Sequence, residues 1–578
     1  MRPGSAVAAA PPRFLALERW IARYEPWAPL GAIVVLQWLT LVAFVLVVRR
    51  NGWLFYQGGD QTYYWADAHL LSHWTLPVAL VGYGWSYLLI PVALVFGANV
   101  LAGLPAVILL NTLILLPVAL LCVYGIGTRI AGRIFGYWAA ALWVVLPYAA
   151  IPMFDPRYHE KFVSITLPQS LGLTVLADFP STVFILLTAY LIIRALDTND
   201  WTDAVLAGLV GGFVIGVKPS NSLFFGAAVL CLLAARRWLQ TGAFLAALVP
   251  GLGILAIWKQ RGLGELPAFS STGRSGGDLA AIGGSLPIGG LPAPVHKYVT
   301  LDWHHLHQNI DGIREFFWAV RPLEFIVFAG LIGLGRRSWP KAILIFGWFA
   351  TFLVIKGTDA KANIDDASFF RLLMPSFPAF LLLLAAIPLL TPTFSWTRKL
   401  FPSPLPALTA RRHGLRTVSA ATAVLFVLPL IFVAGTTPQS TPEAVSYPFQ
   451  NVFIPVQSFR LEAHAVGKTQ RLTWNAPYSG SSGVFYTVLR SRPVAPDPSG
   501  NGERNAIRGF ACKDRQNGAP LNCDLVMNHV STTAGLRYID RAPPGRWTYR
   551  VGLTANWLND TSLGDLVLVS TPVTVTVS

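Results

Sequence analysis

The sequence is short of charge. Only 12% of its 578 residues are Asp, Glu, Lys or Arg, whereas a soluble protein carries roughly 25%. Hydrophobic residues make up 54% and the mean hydropathy is +0.52, which excludes an ordinary cytosolic enzyme. Acidic residues are fewer than basic ones, with 28 Asp and Glu against 44 Lys and Arg. Because the basic residues are scattered at the ends of apolar runs and form no stripe, a nucleic-acid partner is not predicted.

Cysteine is also scarce, with four residues in all. Cys122 and Cys231 lie in apolar runs, where cysteine is usually a small packing residue. Cys512 and Cys523 lie close together in a polar C-terminal region and are a disulfide candidate if that region is exported.

Apolar runs of about 20 residues recur between Gly31 and Gly435, the length that crosses a hydrocarbon core of roughly 30 Å. The sequence therefore predicts a polytopic α-helical membrane protein. We expect 1–27 to be a cytoplasmic N-terminus followed by a retained anchor rather than a cleaved signal. We predict eleven spans: 28–48, 103–126, 134–153, 179–195, 203–217, 222–235, 240–258, 322–336, 341–356, 371–391 and 417–435.

Basic clusters fix the predicted orientation. Eleven spans place all of them on the cytoplasmic side: Arg129/Arg133, Arg236/Arg237, Arg336/Arg337/Lys341, Arg398 to Arg416 and the N-terminus. The predicted external segments are 49–102, 154–178, 259–321, 357–370 and the C-terminus from 436, in a multi-pass protein of the cell membrane.

The run Pro77 to Phe96 is apolar enough to cross the membrane. Such a crossing would, however, move every later basic cluster to the outer side of the membrane. We therefore predict a juxtamembrane or re-entrant helix on the outer leaflet, with Tyr83, Trp85 and Tyr87 at the membrane interface. The short spans 203–217 and 222–235 meet at Lys218-Pro-Ser-Asn221, which would place Lys218 near the outer face, where a cation can hold an anion.

The composition changes after about Val452 to strand-like alternation separated by Gly, Pro, Asn and Asp. This pattern predicts that 436–578 holds a small antiparallel β sandwich. The strands around Trp474 and Tyr486 and the turn from Pro543 to Tyr549 resemble a fibronectin type III module. Such modules usually bind a ligand or act as spacers, and this one contains no group of residues that indicates catalysis.

Three charged positions could carry chemistry. Asp60 follows Gly58 and Gly59 in the first external loop and could accept a proton from a hydroxyl, although a solvated loop carboxylate is the usual alternative. Asp178, two residues before a Pro, reads first as a helix cap and second as a substrate-orienting acid. Arg371 begins a late apolar helix, where it could snorkel or grip a lipid phosphate.

Metal binding is only weakly indicated. Asp155, His159 and Glu160 share one external loop, and His304 and His307 could share a helical face. Neither set has a recognised ligand spacing, and an interfacial helix explains the second at least as well. A divalent metal is therefore possible, but no motif implies one.

The order of these features resembles that of the GT-C membrane glycosyltransferases. The shared features are an acid in the first external loop, a juxtamembrane helix, an acid-x-Pro, a Lys-Pro turn and Arg371-x-x-x-Pro375-x-x-Pro378. The resemblance covers roughly residues 28–391 and is strongest to the protein mannosyltransferase and lipid A aminoarabinose transferase branch. It differs in one respect, because many members have an adjacent acid pair where Gln61 follows Asp60 here.

The resemblance implies a polyprenyl-phosphate sugar as donor and an external cell-envelope glycan, lipid or protein as acceptor. It implies that Asp60 is the base, that Asp178 and more weakly Asp155 orient the substrate, and that Arg371 and Lys218 hold the lipid phosphate. A transporter or flippase is the alternative, since broken helices such as 203–235 occur there too. A ligase moving a whole glycan from a lipid carrier shares these features.

If the C-terminal region is exported, Cys512 and Cys523 should resist thiol-specific labels until a reductant is added. The measurement is mass-spectrometric counting of labelled cysteines before and after reduction. Immediate labelling of both cysteines in the unreduced protein would refute the disulfide.

Overall fold

The computed structural model describes most of the chain. The described residues are 27–47, 60–77, 79, 81–153, 167–263, 301–316, 320–359, 362–365, 368–391, 411–438, 443–447, 450–454, 459–466, 469–475, 484–491, 528–555 and 566–577. Cys512, Cys523, Asp155, His159 and Glu160 lie outside them.

Helices dominate the described chain up to residue 435. They are α1 (Trp27–Val47), α2 (Asp60–Ser72), α3 (Tyr83–Phe96), α4 (Val100–Ala131, with a π-helical turn at Asn111–Leu115), α5 (Arg133–Ala150), α6 (Pro168–Leu171), α7 (Asp178–Thr198), α8 (Trp201–Val217), α9 (Leu223–Ala234), α10 (Trp238–Leu263), α11 (Trp303–Phe316), α12 (Val320–Gly335), α13 (Trp339–Gly357), α14 (Ser368–Leu390, with short 3₁₀ stretches) and α15 (Arg411–Thr422, continuing through a π-helical turn at Ala423–Val427 into Leu428–Gly435).

Each of the eleven predicted spans overlaps one of these helices. Among the described residues, seven helices are long and apolar enough to cross a membrane. They are α1, α4, α7, α10, α13, α14 and the Gly414–Gly435 part of α15. A polytopic helical membrane protein with a β domain is thereby confirmed, and the number of eleven spans stays a prediction.

Helix α7 is the most enclosed of the seven, with 78% of its apolar window buried. It contacts α4, α8 and α9, and it begins at Asp178 and ends at Thr198. With a rise of 1.5 Å per residue, its 21 residues span about 30 Å. The two ends of α7 therefore mark opposite ends of the helix bundle.

One end of the bundle collects basic residues, and we call it the basic end. Asp197 near the end of α7 pairs with Lys341 at 2.7 Å and with Arg129 at 3.4 Å. Arg237 donates a hydrogen bond to the Leu196 carbonyl at 3.0 Å. Three of the predicted cytoplasmic clusters thus meet at one end, as the positive-inside pattern requires.

Helix α3 occupies the ambiguous segment 77–96. Its 14 residues span about 21 Å, which is shorter than a hydrocarbon core of roughly 30 Å. The predicted interfacial placement of Tyr83 and Trp85 is wrong, because both side chains are fully buried inside the protein. The Tyr83 ring packs against Gly216, and the Trp85 indole donates a buried hydrogen bond.

A short junction joins the segment between α2 and α3 to the end of α15. Strands β1 (Thr75–Leu76) and β2 (Thr437–Pro438) pair in parallel. Trp74 stacks on Phe432 with ring centroids 5.0 Å apart. The Arg261 guanidinium donates to three carbonyls at the end of α15, those of Val433, Ala434 and Thr436. These bonds satisfy carbonyls that a helix end leaves without partners.

The β domain contains ten described strands beyond the junction. They are β3 (Glu443–Tyr447), β4 (Gln450–Ile454), β5 (Leu461–Val466), β6 (Thr469–Trp474), β7 (Val484–Ser491), β8 (Asn528–Thr533), β9 (Arg537–Asp540), β10 (Gly545–Ala555), β11 (Leu566–Val569) and β12 (Val573–Val577). Strands β3 and β4 form an antiparallel hairpin.

The other eight strands form two antiparallel sheets. One has the order β5-β6-β9, and the other has β11-β10-β7-β8 with β12 also paired to β10. Alternate residues of β10, namely Tyr549, Val551 and Leu553, are fully buried. The fibronectin type III assignment stays a prediction.

Close helix contacts depend on small residues. A Cβ atom added at Gly251 in α10 would collide with the Gly212 backbone in α8, whereas one added at Gly253 meets nothing within 4 Å. We expect Gly251→Ala to lower the free energy of unfolding by roughly 1–3 kcal/mol. Gly253→Ala is the matched control and should change it little. Equal thermal midpoints in detergent for the two variants would contradict this packing.

Candidate active site

Four charged residues predicted from the sequence converge at the end of the bundle opposite the basic end, which we call the site end. Arg371 donates from Nη2 to Asp60 Oδ2 at 2.7 Å and from Nε to Asp178 Oδ2 at 3.2 Å. The Lys218 ammonium donates to the other oxygen of Asp178 at 2.6 Å. Asp60 begins α2, Asp178 begins α7, Lys218 is the C-cap of α8 and Arg371 lies near the start of α14.

Asp178 is the buried centre of this cluster, with its side chain 2% exposed. Burying a lone carboxylate is very unfavourable, and the two cations offset that penalty. The predicted role of Asp178 as a helix cap is wrong. Ala177 is the N-cap and no side chain caps the helix, because both Asp178 oxygens point to Lys218 and Arg371.

Asp60 is the open acid of the cluster, with its side chain 48% exposed. It shares Arg371 with Asp178, while the Arg371 side chain is itself 30% exposed. Arg371 therefore does not simply snorkel, since two carboxylates hold its guanidinium. Asp178 is therefore enclosed and paired with two cations, whereas Asp60 is partly exposed and paired with one.

The turn from Lys218 to Asn221 is fixed by buried polar bonds. Asn221 donates from its main-chain N–H to the Lys218 carbonyl at 3.0 Å. Its side-chain amide donates to the Val214 carbonyl at 3.0 Å, and its amide oxygen accepts a bond from Ser181 Oγ at 2.8 Å. Since Ser181 is in the first turn of α7, these bonds tie the Lys218 turn to the helix that carries Asp178.

The loop that leads into Asp178 is also held by buried side chains. Asn111, in the π-helical turn of α4, donates to the Gly172 carbonyl at 2.9 Å. Gln169 donates to the Trp143 carbonyl at 2.9 Å. π-Helical turns are frequent at functional sites, and this one turns an amide toward the loop before the site. The position of Asp178 is therefore set by α4 and α5 as well as by its cation partners.

Tyr64 belongs to the site environment, although it was not predicted from the sequence. It lies one helical turn after Asp60 on α2 and is buried. Burial raises the pKa of the Tyr64 phenol well above its ordinary value, and Asp60 and Asp178 raise it further. Its hydroxyl is thus a neutral hydrogen-bonding group. The i, i+4 spacing from Asp60 is the signal that could have found it.

A second buried acid lies further along α2. Burial raises the pKa of the Asp67 carboxyl, and the neighbouring Lys259 opposes that shift. The Lys259 ammonium donates to the carbonyls of Ala79 and Val81 at 2.6 and 2.9 Å. This pair was not predicted either, because its members lie on helices far apart in the chain.

The described residues contain no group of three or more His, Cys, Asp or Glu side chains arranged to hold a metal ion. His304 and His307 lie on α11 as predicted, but they have separate partners. His304 contacts Gln308 at 3.0 Å, and His307 contacts Asp311 at 3.1 Å on an exposed surface. The interfacial-helix reading suits this segment better than a zinc site, and Trp303 is exposed at its start.

The chemistry that this arrangement supports follows from its charges. Arg371 and Lys218 offer N–H donors to an anion such as a phosphate. Asp60 is an accessible carboxylate beside them and can accept a proton. Asp178 keeps the two cations together without being exposed itself. The site therefore places two cationic donor groups beside an accessible carboxylate.

The segment 162–258 matches the family model of dolichyl-phosphate-mannose-protein mannosyltransferases. This segment includes Asp178 and Lys218 but not Asp60 or Arg371. The match covers less than half of the chain. No curated protein matches the sequence.

Solved structures of the Archaeoglobus fulgidus oligosaccharyltransferase are distantly similar. Its apo form has 13% identity and a TM-score of 0.37, covering 72% of this chain and 56% of that one. AglB with an inhibitory peptide and a dolichol-phosphate has 13% identity and a TM-score of 0.37, covering 73% and 57%. The complex with Zn and sulfate has 14% identity and a TM-score of 0.34, covering 72% and 54%. The chain spans little more than half the length of these proteins.

Asp178→Asn removes the charge that holds two cations together. We expect it to lower the free energy of unfolding by about 2 kcal/mol or more, since an unpaired charge is left in a partly buried place. Asp311→Asn is the matched control, because Asp311 forms only exposed ion pairs. The measurement is the thermal midpoint in detergent. An equal shift for both variants would contradict a structural role for the Asp178 charge.

Proposed function

We propose that this protein is an integral-membrane glycosyltransferase that moves a sugar from a polyprenyl-phosphate donor to an extracytoplasmic hydroxyl. The observation that carries the proposal is the convergence of Asp60, Asp178, Lys218 and Arg371 at the site end. These residues come from four separate parts of the chain, and their charges suit a phosphate and a nucleophile side by side. The family match over 162–258 supports the same reaction class.

The reaction requires two kinds of assistance. The acceptor oxygen attacks the anomeric carbon of the sugar while the bond from that carbon to the phosphate oxygen breaks. The electron pair leaves with the lipid phosphate, whose extra negative charge Arg371 and Lys218 stabilise. The hydroxyl proton passes to Asp60. Because the displacement is single, the anomeric configuration inverts.

The ion pair between Asp60 and Arg371 gives an order to these events. In the structure, the guanidinium is shared by both acids. A donor phosphate that binds Arg371 competes with Asp60 for the same N–H groups, whereas buried Asp178 keeps its hold. Donor binding therefore releases Asp60 to accept a proton from the acceptor hydroxyl. The site would keep its base occupied until the phosphate arrives.

The surroundings suit a donor with a lipid tail. Asp178 and Arg371 lie on α7 and α14, which are apolar helices of membrane-spanning length, so a prenyl chain can lie in the hydrocarbon while its phosphate reaches Arg371 and Lys218. The basic end carries the predicted cytoplasmic clusters, which would place the site on the external side. An envelope glycan, lipid or protein is the proposed acceptor, and the β domain is proposed to bind it or to act as a spacer.

The transporter or flippase alternative fits the charge distribution less well. Transporter sites lie near the bilayer midplane, at the interface between repeats. Here the ion pairs of Asp178 and those of Asp197 lie at opposite ends of α7. We therefore place the transferase reading first.

Asp60→Asn should abolish turnover, with a fall of about 100-fold or more, because the amide cannot take the hydroxyl proton. The assay measures transfer of label from polyprenyl-phosphate sugars to a cell-envelope extract by the purified protein in lipid. Arg371→Ala in the same assay should lower kcat as well as raise the donor KM, since it removes a contact to a phosphate that gains negative charge during transfer.

Asp311→Asn again serves as the control and should retain wild-type turnover. Near-normal activity of Asp60→Asn would remove Asp60 from the mechanism. If the wild type consumes no donor and sealed vesicles instead take up a polar solute, the transporter reading replaces this one.

A further inference from the structure

The main-chain peptide groups of Val175 are held by two buried side chains. The Val175 N–H donates to Gln61 Oε1 at 2.8 Å. The Val175 carbonyl accepts a bond from Trp85 Nε1, also at 2.8 Å. Gln61 and Trp85 are both fully buried. One side chain of α2 and one of α3 thus bind the main chain of a single residue in the loop that precedes α7.

The place of these two hydrogen bonds in the chain bears on the geometry of the site. Gln61 is the residue after Asp60, and Val175 lies three residues before Asp178. The hydrogen bond therefore ties the start of the helix carrying the open acid to the loop leading to the buried acid. Both acids share Arg371, at 2.7 and 3.2 Å. A shift of α2 against this loop would move Asp60 relative to the cations.

Two other contacts of this region lie further from Asp60. Trp65 donates to the Gly97 carbonyl at 3.0 Å and packs against Gly103. Trp74, beyond the end of α2, binds the junction through Thr437. Of these three contacts, the one made by Gln61 is the nearest to Asp60 along the chain. Because Gln61 is inaccessible to solvent, it cannot touch a substrate and can act only through its neighbours.

We propose that Gln61 is a positioning residue that sets Asp60 against the Arg371–Asp178 pair through its bond to Val175. This inference rests on the proposed function, in which Asp60 takes the acceptor proton. Lys218 and Arg371 keep their bonds to Asp178 without Gln61. Loss of the Gln61 acceptor should therefore impair the proton-accepting step and spare the binding of the donor phosphate.

The test compares two substitutions at Gln61. Gln61→Met keeps the length of the side chain but removes the oxygen acceptor. Gln61→Glu, which burial should keep protonated and therefore neutral, retains a carbonyl oxygen as the acceptor. We expect Gln61→Met to lower kcat about 100-fold, the loss typical of a catalytic group displaced by about 1 Å, with a donor KM within about 3-fold of wild type. Gln61→Glu should restore kcat to within about 5-fold of wild type.

A control and a second measurement separate positioning from general destabilisation. Gln240 is also buried, but at the basic end, where it donates to Asn199. Gln240→Met should lower the thermal midpoint without lowering kcat selectively. Amide hydrogen exchange at Val175 should be at least about 10-fold faster in Gln61→Met than in wild type. In Gln61→Glu it should be unchanged.

The outcomes are distinguishable. Normal kcat in Gln61→Met, or parallel changes in Gln61→Met and Gln240→Met, would overturn the positioning role. If the wild type consumes no donor, the proposed function fails, and hydrogen exchange at the Val175 amide alone tests whether Gln61 holds this loop. Faster exchange in Gln61→Met would then support it, and unchanged exchange would overturn it.

Discussion

The charge of Asp178 cannot lie alone inside a helix bundle, because the solvation that a carboxylate loses on burial must be replaced by cations and hydrogen bonds. Lys218 and Arg371 supply that replacement from the turn after α8 and from the start of α14. The buried acid thus fixes three parts of the chain together. Asp60 joins them as the second partner of Arg371.

The two acids of this cluster differ because their surroundings differ. Asp178 is enclosed and bound to two cations, and Asp60 is half exposed with one. A pair of carboxylates with different surroundings can divide structural and proton-accepting roles, as acids and bases do in many enzymes. In the proposed reaction, the buried acid holds the two cations that bind the phosphate, and the open acid accepts the proton of the nucleophile.

The scaffold around the cluster is held by buried hydrogen bonds next to the charged residues. The buried side-chain amides of Asn111 and Gln61 bond to main-chain groups of the loop before Asp178, and that of Asn221, in the turn at Lys218, bonds to the Val214 carbonyl in the last turn of α8. Such bonds compensate for backbone groups that have left water and fix loops that have no ladder of their own. The fold therefore extends the order of the helices into the two connections that carry the charged residues.

The sequence by itself determined the class of protein, since apolar runs of membrane-spanning length and clustered basic residues are local features that need no tertiary information. It also singled out Asp60, Asp178, Lys218 and Arg371, because Asp60 follows two glycines, the other three stand near prolines, and their order along the chain resembles that of a known family. What it did not determine was their pairing: a cap was expected at Asp178, and the structure has an ion-pair centre.

Only the tertiary structure decided which surfaces face one another. Tyr83 and Trp85 have the composition of a membrane interface, yet neighbouring helices enclose them. In the sequence, Gln61 stands where many members of the resembled family have a second acid. In the structure, it accepts a hydrogen bond from Val175, 114 residues along the chain. Periodicity shows which face of a helix is apolar or polar, but the partner of that face depends on packing between distant segments, which no local pattern records.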